Sequence, residues 1–293
     1  RKLLFALFIS SISFSQELVK SVPLKVGKKS DVFQVVDENN KQLILFFNNK
    51  IESKAIRFDS LFQVIDSIST NRPSKEYDDI VGYGKSGSKY YSYWMNSNNE
   101  EMLSQCFDFN NKKVTIKTNN LNFQKEKIIQ LTTVKDVFYI ITVSKYSNIL
   151  NFYIFKEDQL SKKSIDLSSQ KFALYDGSIV TLWELLGEYS EIDNPFFVQK
   201  IAKESPASLT FAANKKKAYI VENSLFFTFD NNNTYTQTFT INLSDFSFSQ
   251  KAYVKPYLET SFFEDGKPMS YFTSNSFFIE NKLLQMKSDW KKM

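Results

Sequence analysis

The sequence predicts an all-β fold, and three observations support this prediction. Runs of Phe, Tyr, Ile, Val and Thr are separated by clusters of Asn, Asp, Lys, Ser and Gly, a pattern typical of short strands joined by turns. In TYTQTFTINL, Tyr235, Phe239, Ile241 and Leu243 fall on one face and Thr and Asn on the other. This period of two indicates a half-buried antiparallel strand. The third observation is a strand–turn–strand unit that recurs along the chain.

The strand pattern is clearest in eight segments, each bounded by polar turn residues. They are Val32–Val36, Leu43–Phe47, Tyr90–Met95, Val137–Val143, Ile149–Phe155, Ala218–Val221, Leu225–Phe229 and Tyr235–Leu243.

The recurring unit reads strand, polar turn, longer strand, polar turn, strand. It occupies residues 31–59, 88–118, 136–167 and 223–254, and a fifth copy begins within 275–290. The unit starts lie roughly 50 residues apart, with a double gap between 136 and 223, a spacing that suggests propeller blades. We therefore predict a β-propeller of about five or six antiparallel blades within a domain covering residues 16–293.

The last unit stops after two strands, and a propeller normally completes its ring with strands from both ends of the chain. We therefore expect the ring to be incomplete here and the natural protein to continue beyond Met293.

The region DGSIVTLWELLGEYSEIDNPFF interrupts the strand pattern. Ile179, Leu182, Leu186 and Tyr189 recur at helical spacing, and Ser178 can serve as an N-cap. The sequence predicts a short helical insertion near 178–190, the only sizeable helix after the N-terminal segment.

The stretch SPASLTFAANKKKAYIVENS, residues 205–224, resembles the strand–turn–strand of WD40-like propeller repeats of the PD40 type, as found in TolB-type propellers. In these repeats Ser-Pro opens a strand and a tight turn leads to the next one. The Asp-Gly expected at the turn is replaced here by Asn214-Lys215. The resemblance implies a propeller fold of the kind found in secreted bacterial proteins.

The chain opens RKLLFALFISSISFSQ, which has the three parts of a secretory signal peptide: two cations, a short apolar run and small residues before a cleavage site. We predict cleavage after Ser15 and a secreted or periplasmic protein of the Gram-negative envelope. No later apolar run reaches the roughly 20 residues that span a bilayer, so no membrane span is expected once residues 1–15 are removed.

Several chemistries are excluded by composition. The chain has no histidine and one cysteine, Cys106, which removes His-dependent nucleophilic catalysis, His- or Cys-based zinc sites and an intramolecular disulfide. No glycine-rich phosphate loop is present, so no nucleotide cofactor is expected. The lysines are scattered among acids, unlike the basic footprint of a nucleic-acid binder. Cys106 and the turn DNNN at 230–233 are interpreted as a core residue and a plain hairpin turn.

Paired carboxylates and tryptophans are the remaining candidates. The acidic pairs lie in or beside turns and are interpreted as solvated loop residues, although a glycoside hydrolase would need two such groups across a sugar ring. They are Asp37-Glu38, Asp78-Asp79, Glu100-Glu101 and Glu264-Asp265. Trp94, Trp183 and Trp290 are candidate surface platforms for sugars, with packing in the core as the alternative for each.

Two functions are consistent with these features. The first is an exported, non-catalytic binding or scaffold protein that presents propeller loops to an envelope protein or a glycan. It requires no catalytic residues, metal or cofactor. The second is a carboxylate-based, glycan-active enzyme, similar to a glycoside hydrolase, built on a propeller.

Overall fold

The structure is a computed structural model that describes residues 21–23, 30–187, 196–202, 208–257, 261–262, 268–269 and 272–289. The predicted signal peptide, Trp290 and the Glu264-Asp265 pair lie outside these residues. Within them no helix is long and apolar enough to cross a membrane.

Strands make up most of the described chain, as predicted. They are β1 (Asp31–Asp37), β2 (Gln42–Asn48), β3 (Glu52–Phe58), β4 (Val64–Asn71), β5 (Tyr77–Ser86), β6 (Lys89–Asn96), β7 (Glu101–Asp108), β8 (Lys113–Asn120), β9 (Glu126–Val134), β10 (Val137–Ser144), β11 (Ile149–Lys156), β12 (Gln159–Asp166), β13 (Phe172–Ala173), β14 (Ile179–Val180), β15 (Gln199–Ile201), β16 (Lys216–Val221), β17 (Ser224–Phe229), β18 (Tyr235–Asn242), β19 (Phe248–Val254), β20 (Ser261–Phe262), β21 (Pro268–Met269), β22 (Phe272–Ile279) and β23 (Lys282–Asp289). Two short helices are α1 (Leu182–Gly187) and α2 (Leu209–Ala213).

The chain divides into two compact units. The first comprises residues 1–75 and 107–115 and contains the antiparallel sheet β1-β2-β3-β4. The second comprises residues 76–106 and 116–293. Its main sheets run in the orders β5-β6-β7-β8, β12-β11-β10-β9 and β15-β16-β17-β18-β19, and β22-β23 forms a separate hairpin.

Each four-stranded sheet is an antiparallel meander in which consecutive strands are neighbours, the topology of a propeller blade. Three such sheets follow one another along the described chain, and none of the described sheets closes on itself. The all-β, propeller-type class predicted from the sequence is confirmed.

The middle strands of these sheets are buried on both faces. In β6 and β10 every residue between the first and the last is buried, although successive side chains point to opposite faces. The fourth strands, β8 and β12, are exposed over most of their length. Each sheet therefore has a covered interior and one open edge.

The predicted repeat units lie on strands of the structure, but two of them begin one strand later than the sheets to which they belong. The units starting near 88 and 136 begin at β6 and β10, the second strands of their sheets, whereas the unit starting at 31 begins at β1. The predicted units contained three strands each, so β4, β5 and β9 were missed. β5 contains Gly82 and Gly84 and two register shifts, so it lacks the uninterrupted apolar pattern of its neighbours.

The helical insertion begins later than predicted and at a different cap, and the predicted residues 188–190 lie outside the described residues. α1 covers Leu182–Gly187, and Thr181, not Ser178, closes its N-terminus. The Thr181 hydroxyl accepts the Glu184 backbone N–H at 3.2 Å, and the Glu184 carboxylate accepts the Thr181 N–H at 2.8 Å, a capping box. Ser178 instead donates its backbone N–H and its hydroxyl to Asp176 in a turn.

The segment that resembles a propeller repeat differs from it locally. The expected first strand is replaced by α2, whose N-cap Ser208 accepts the Phe211 N–H at 3.2 Å. The second expected strand is present as β16.

Many turns are closed by a residue other than glycine in the left-handed region. Lys41, Lys112, Glu157, Glu222 and Asn281 have φ of 51°, 52°, 58°, 55° and 60°. With seven glycines in the whole chain, these turns place ordinary side chains where glycine is sterically preferred.

Close aromatic packing joins the sheet β5–β8 to the sheet β9–β12 within the second unit. The fully buried ring of Phe138 stacks on Tyr93 with ring centroids 5.1 Å apart. A Cβ on Gly82 would lie 2.2 Å from two ring atoms of Phe138. Gly82 is therefore required because the ring occupies the volume that a side chain would take.

We expect Gly82→Ala to lower the free energy of unfolding by about 1–3 kcal/mol, the usual cost of overpacking a core. Urea denaturation measures the change. Phe138→Leu provides the matched control, because the double variant should lose less than the sum of the two single losses. A Gly82→Ala protein with the wild-type midpoint would contradict this packing.

In the first unit, Asp66 is held by two cations. Arg57 Nε and Nη2 donate to its two oxygens at 3.0 and 2.8 Å, and Lys112 Nζ donates to Oδ2. Burial alone would raise the pKa of Asp66, but the hydrogen bonds and charges of Arg57 and Lys112 outweigh it and lower the pKa.

A lowered carboxyl pKa stabilises the fold above the unfolded value near 3.8, and this stabilisation is lost as pH falls through the folded pKa. We expect Asp66→Asn to destabilise the protein by about 0.5–1 kcal/mol at pH 7 and to have no effect below the folded pKa. Thermal melts at a series of pH values from 7 down to 2 measure the difference, which should narrow as the pH falls below 3.8. A loss that stays constant across this range would show that packing, and not charge, is responsible.

Candidate functional site

A polar groove of about 1080 Å³ lies within the second unit. Its walls come from the β6–β7 turn, the segment between β8 and β9, and Phe196. The lining residues are Asn96, Asn98, Asn99, Glu100, Glu101, Asn120, Leu121, Asn122, Phe123, Gln124, Glu126, Lys127, Ile128 and Phe196. In an antiparallel meander alternate connections lie at the same end of the sheet, so these two asparagine-rich connections meet there.

The β6–β7 turn is organised by its own asparagines. Asn96 Oδ1 accepts the backbone N–H groups of Glu100 and Glu101 at 2.9 and 3.0 Å. Asn99 has φ of 57°, a left-handed conformation that asparagine tolerates better than most residues. The turn therefore projects Asn98 and Asn99 from a fixed backbone.

The second wall is tied to the first. Leu121 donates its backbone N–H to the Glu100 carbonyl at 2.6 Å. Asn122 Oδ1 accepts the Gln124 N–H at 3.2 Å, which shapes the connection between β8 and β9. The Phe123 ring packs edge-on against Tyr153, with centroids 4.9 Å apart.

Glu126, beneath this wall, is engaged through both carboxylate oxygens. Oε1 accepts Lys162 Nζ at 2.7 Å, and Oε2 accepts the Tyr153 hydroxyl at 3.1 Å and the hydroxyl of Thr142. Burial raises the pKa of Tyr153, as does the Glu126 charge. Burial opposes the charged form of Lys162, but hydrogen bonds to Glu126 and Tyr153 prevail and raise its pKa. The network anchors the wall.

Other groove side chains are open to a ligand. Within the part of the chain that the structure describes, no protein group hydrogen-bonds to the side chains of Asn98, Asn99 or Asn120, and all three residues are exposed. Each amide offers two donors and an acceptor. Glu100 is also exposed, whereas Glu101 accepts the Tyr77 hydroxyl at 3.0 Å.

One of the predicted tryptophans supports the groove from behind. Trp183 is half-buried and packs against Phe196 and Tyr146, with ring centroids 4.5 and 5.8 Å away. Phe196 lines the groove, so Trp183 holds a lining ring in place.

Trp94 is fully buried, and its ring is closed to any ligand. It packs with Tyr77 and Leu103, and its Nε1 donates to the Ser92 hydroxyl at 3.2 Å. Because β6 is covered on both faces, Trp94 has the core position that was the alternative to a surface platform.

The carboxylate pairs are not arranged for catalysis in the described residues. Glu100 and Glu101 are consecutive where β7 begins, so their side chains diverge. Asp78 accepts the Ser97 hydroxyl at 3.1 Å. Asp37 is buried and accepts both the backbone and side-chain N–H groups of Asn40.

The expectation for Cys106 is met, whereas the turn at 230–233 is a hairpin connection whose Asp230 and Asn232 are buried. Cys106 is buried in a core cluster with Tyr91, Tyr93 and Phe138. Residues 230–233 form the connection between β17 and β18, where Asn232 Oδ1 accepts the Thr234 N–H at 2.8 Å. Among the described residues no cluster of three potential metal ligands is found.

A second polar cluster lies in the interior of the second unit around Asp230. Its Oδ2 accepts the hydroxyl and backbone N–H of Ser276 at 2.7 and 2.8 Å, and its Oδ1 accepts the Thr236 hydroxyl at 2.7 Å. Lys217 Nζ lies 3.3 Å from Oδ2, and Lys255 Nζ lies 4.0 Å from Oδ1. The cluster links β16 to the β22–β23 hairpin.

Three consecutive lysines such as Lys215-Lys216-Lys217 are typical of a charged, solvated turn, but two of them are buried in or beside this cluster. Lys216 and Lys217 are fully buried, and Lys216 Nζ donates to the Leu186 carbonyl at 2.7 Å. Burial lowers the pKa of Lys217 to about 8, and that of Lys255 also to about 8, while the Asp230 charge acts in the opposite direction. Perturbed lysines mark functional sites in many proteins, but Lys217 and Asp230 are closed to a soluble substrate.

No protein-family model and no curated protein matches the chain. Prolyl oligopeptidase B from Galerina marginata, as the apo protein, is similar at 11% identity over 88% of this chain and 31% of that chain, with a TM-score of 0.37. The WD40 domain of SCAP from fission yeast has 11% identity over 89% and 63% of the two chains, with a TM-score of 0.33. An endo-arabinase from Bacteroides thetaiotaomicron has 9% identity over 91% of each chain, with a TM-score of 0.33.

The chain spans about a third of the length of the prolyl oligopeptidase that it matches. At these identities and scores the similarities assign no activity to the chain.

The groove amides were missed by the sequence analysis, which singled out only Glu100-Glu101 among the lining residues. The available signal was a pair of asparagine clusters, NSNNEE at 96–101 and NNLNFQ at 119–124. Two such clusters separated by two strands of a meander belong to the same end of a sheet.

We expect Asp230→Asn to lower the free energy of unfolding by about 3–5 kcal/mol, because it leaves buried ammonium groups without their carboxylate. Chemical denaturation measures the loss. Asp166→Asn is the matched control, since Asp166 is exposed and its turn contact to the Ser168 N–H is one that asparagine also makes. Equal stability of the two variants would show that Asp230 is not an essential counter-ion.

Proposed function

We propose that this chain is an exported, non-catalytic binding protein whose asparagine-rich groove takes a neutral, hydroxyl-rich glycan. The observation that carries the proposal is the set of amide side chains lining a groove of about 1080 Å³. Amide groups both donate and accept hydrogen bonds, which matches the dual character of sugar hydroxyls.

The aromatic residues of the groove fit the same ligand. Phe123 and Phe196 line it and are partly exposed. Aromatic rings offer apolar faces that pack against the C–H faces of sugar rings. The volume of about 1080 Å³ lies slightly above the range of about 300–1,000 Å³ for small-molecule pockets, which suits an oligosaccharide better than a single sugar.

The charges of the groove favour a neutral over an acidic glycan. The lining contains Glu100, Glu101 and one cation, Lys127, whereas the charge of Glu126 is already paired with Lys162. Unpaired like charges across an interface reduce affinity. Uronic-acid oligosaccharides should therefore bind more weakly than neutral ones.

Binding is favoured over hydrolysis because the groove carboxylates are poorly suited to act as a pair. Glu126 is held by Lys162, Tyr153 and Thr142, and Glu101 is held by Tyr77. Glycoside hydrolysis requires an acid and a second carboxylate facing the same bond. A carboxylate-based, glycan-active enzyme is the alternative, with Glu100 and Glu126 as its candidate groups.

The test is calorimetric titration with neutral hexose and pentose tetrasaccharides and with a uronic-acid tetrasaccharide. We expect binding of at least one neutral probe, and a loss of about tenfold in affinity for the Asn98→Ala/Asn120→Ala double variant, as expected from two hydrogen bonds. Asn110→Ala, which changes an exposed turn asparagine outside the groove, should bind as the wild type does.

Product analysis after prolonged incubation separates the two functions. Unchanged oligosaccharide supports a binding protein. Cleavage that Glu100→Gln or Glu126→Gln abolishes would support the enzyme instead. Failure of every neutral probe to bind would overturn the assignment of the groove to glycans.

A further inference from the structure

Three chemically complementary side chains meet in the interior of the second unit. They are the amine of Lys217 on β16, the carboxamide of Asn275 on β22 and the carboxylate of Asp230 after β17. Lys217 Nζ lies 2.5 Å from Asn275 Oδ1 and 3.3 Å from Asp230 Oδ2. Lys217 and Asn275 are 58 residues apart in the chain.

The amine of Lys217 is buried, whereas the side-chain nitrogen of Asn275 lies closer to the surface. The side chains of Lys217 and Asp230 have no exposed area. Asn275 is only partly buried, and its Nδ2 donates to the carbonyls of Ala213 and Ala212 at 2.8 and 3.2 Å. Ala213 is exposed, so the amide nitrogen lies near solvent.

We propose that Lys217 and Asn275 become joined by an intramolecular amide bond, with Asp230 transferring the proton. The uncharged Lys217 amine attacks Cγ of Asn275, forming the C–N bond. Asp230 accepts a proton from Nζ and delivers it to the departing Nδ2, which leaves as ammonia. The products are one secondary amide and one ammonia, and no oxidant, reductant or second substrate is needed.

The distances permit the attack. Because a carbonyl bond is about 1.23 Å long, Cγ lies within about 3.7 Å of Nζ, close to the roughly 3–3.5 Å of a near-attack geometry. Lys217 Nζ donates to Asn275 Oδ1 as well as to the Asn214 carbonyl and Asp230. Loss of the proton that faces Asn275 leaves the lone pair on that side, and rotation of the carboxamide about its Cβ–Cγ bond then turns the face of Cγ toward Nζ. Ser276 donates its N–H to Asn275 Oδ1 at 2.8 Å and so polarises the carbonyl that is attacked.

The charges of the cluster favour the product. Two lysines, Lys217 and Lys255, share the single buried carboxylate of Asp230. Amide formation removes the charge of Lys217 and leaves Lys255 and Asp230 as a one-to-one pair, which a buried site accommodates better. The pKa of about 8 caused by the burial of Lys217 also supplies uncharged amine near neutral pH.

Intact-mass spectrometry of the purified full chain tests the bond. We expect the wild type to be lighter than its sequence by about 17 Da, the mass of the ammonia lost in this modification. A tryptic peptide that joins Lys217 to Asn275 should be present. Asn275→Ala and Lys217→Arg should have their full sequence masses, and these masses are read on denatured protein, so a loss of folding does not affect them.

Lys215→Arg is the matched control, because Lys215 lies two residues before Lys217 and its Nζ donates to the Ser274 carbonyl at 2.5 Å. It should keep the mass deficit and the joined peptide. A folded wild-type chain with its full mass and a cleavable Lys217 would overturn the proposal. A deficit that persists in Lys217→Arg would also overturn it, because the bond would then belong to another residue.

Discussion

The fold depends on one constraint: the middle strands of the sheets β5–β8 and β9–β12 are buried on both faces. β6 and β10 are buried from their second residue to their last but one, so neither sheet is stable with one face in water. Neighbouring sheets must cover them, and the ring of Phe138 above Gly82 shows how closely they do so. The fourth strands β8 and β12 are exposed. The polar turns at the sheet ends are not needed to cover the core, and two of them form the groove.

The same constraint explains what the sequence predicted well and what it did not. Strands such as β2, β10 and β18 contain enough aromatic and β-branched residues to stand out. Edge strands such as β4 carry alternating polar residues and were overlooked. For Trp94 both a surface and a core position were open, because alternation predicts one solvent-facing side of a strand. A strand with both faces covered breaks that rule.

The buried charges show a second limit of local patterns. Three consecutive lysines normally indicate a solvated turn, yet Lys216 and Lys217 are inside. Their partners, Leu186, Asp230 and Asn275, are separated from them by 13 to 58 residues. The hydrogen-bond partners of these lysines come close only when distant parts of the chain pack together, so the local sequence does not show them. The groove amides were hidden for the same reason, since each asparagine cluster alone is typical of a turn.

The turns themselves suggest how the molecule can be improved. A side chain in the left-handed region costs roughly 1–2 kcal/mol, and exposed positions such as Lys41 and Glu222 carry this cost with φ above 50°. Glycine relieves the steric part at a smaller entropic penalty. Small gains of this kind add up when the sites are far apart. The thermal stability of this chain can therefore be raised by substitutions in its hairpin turns. The groove and the aromatic core need no change.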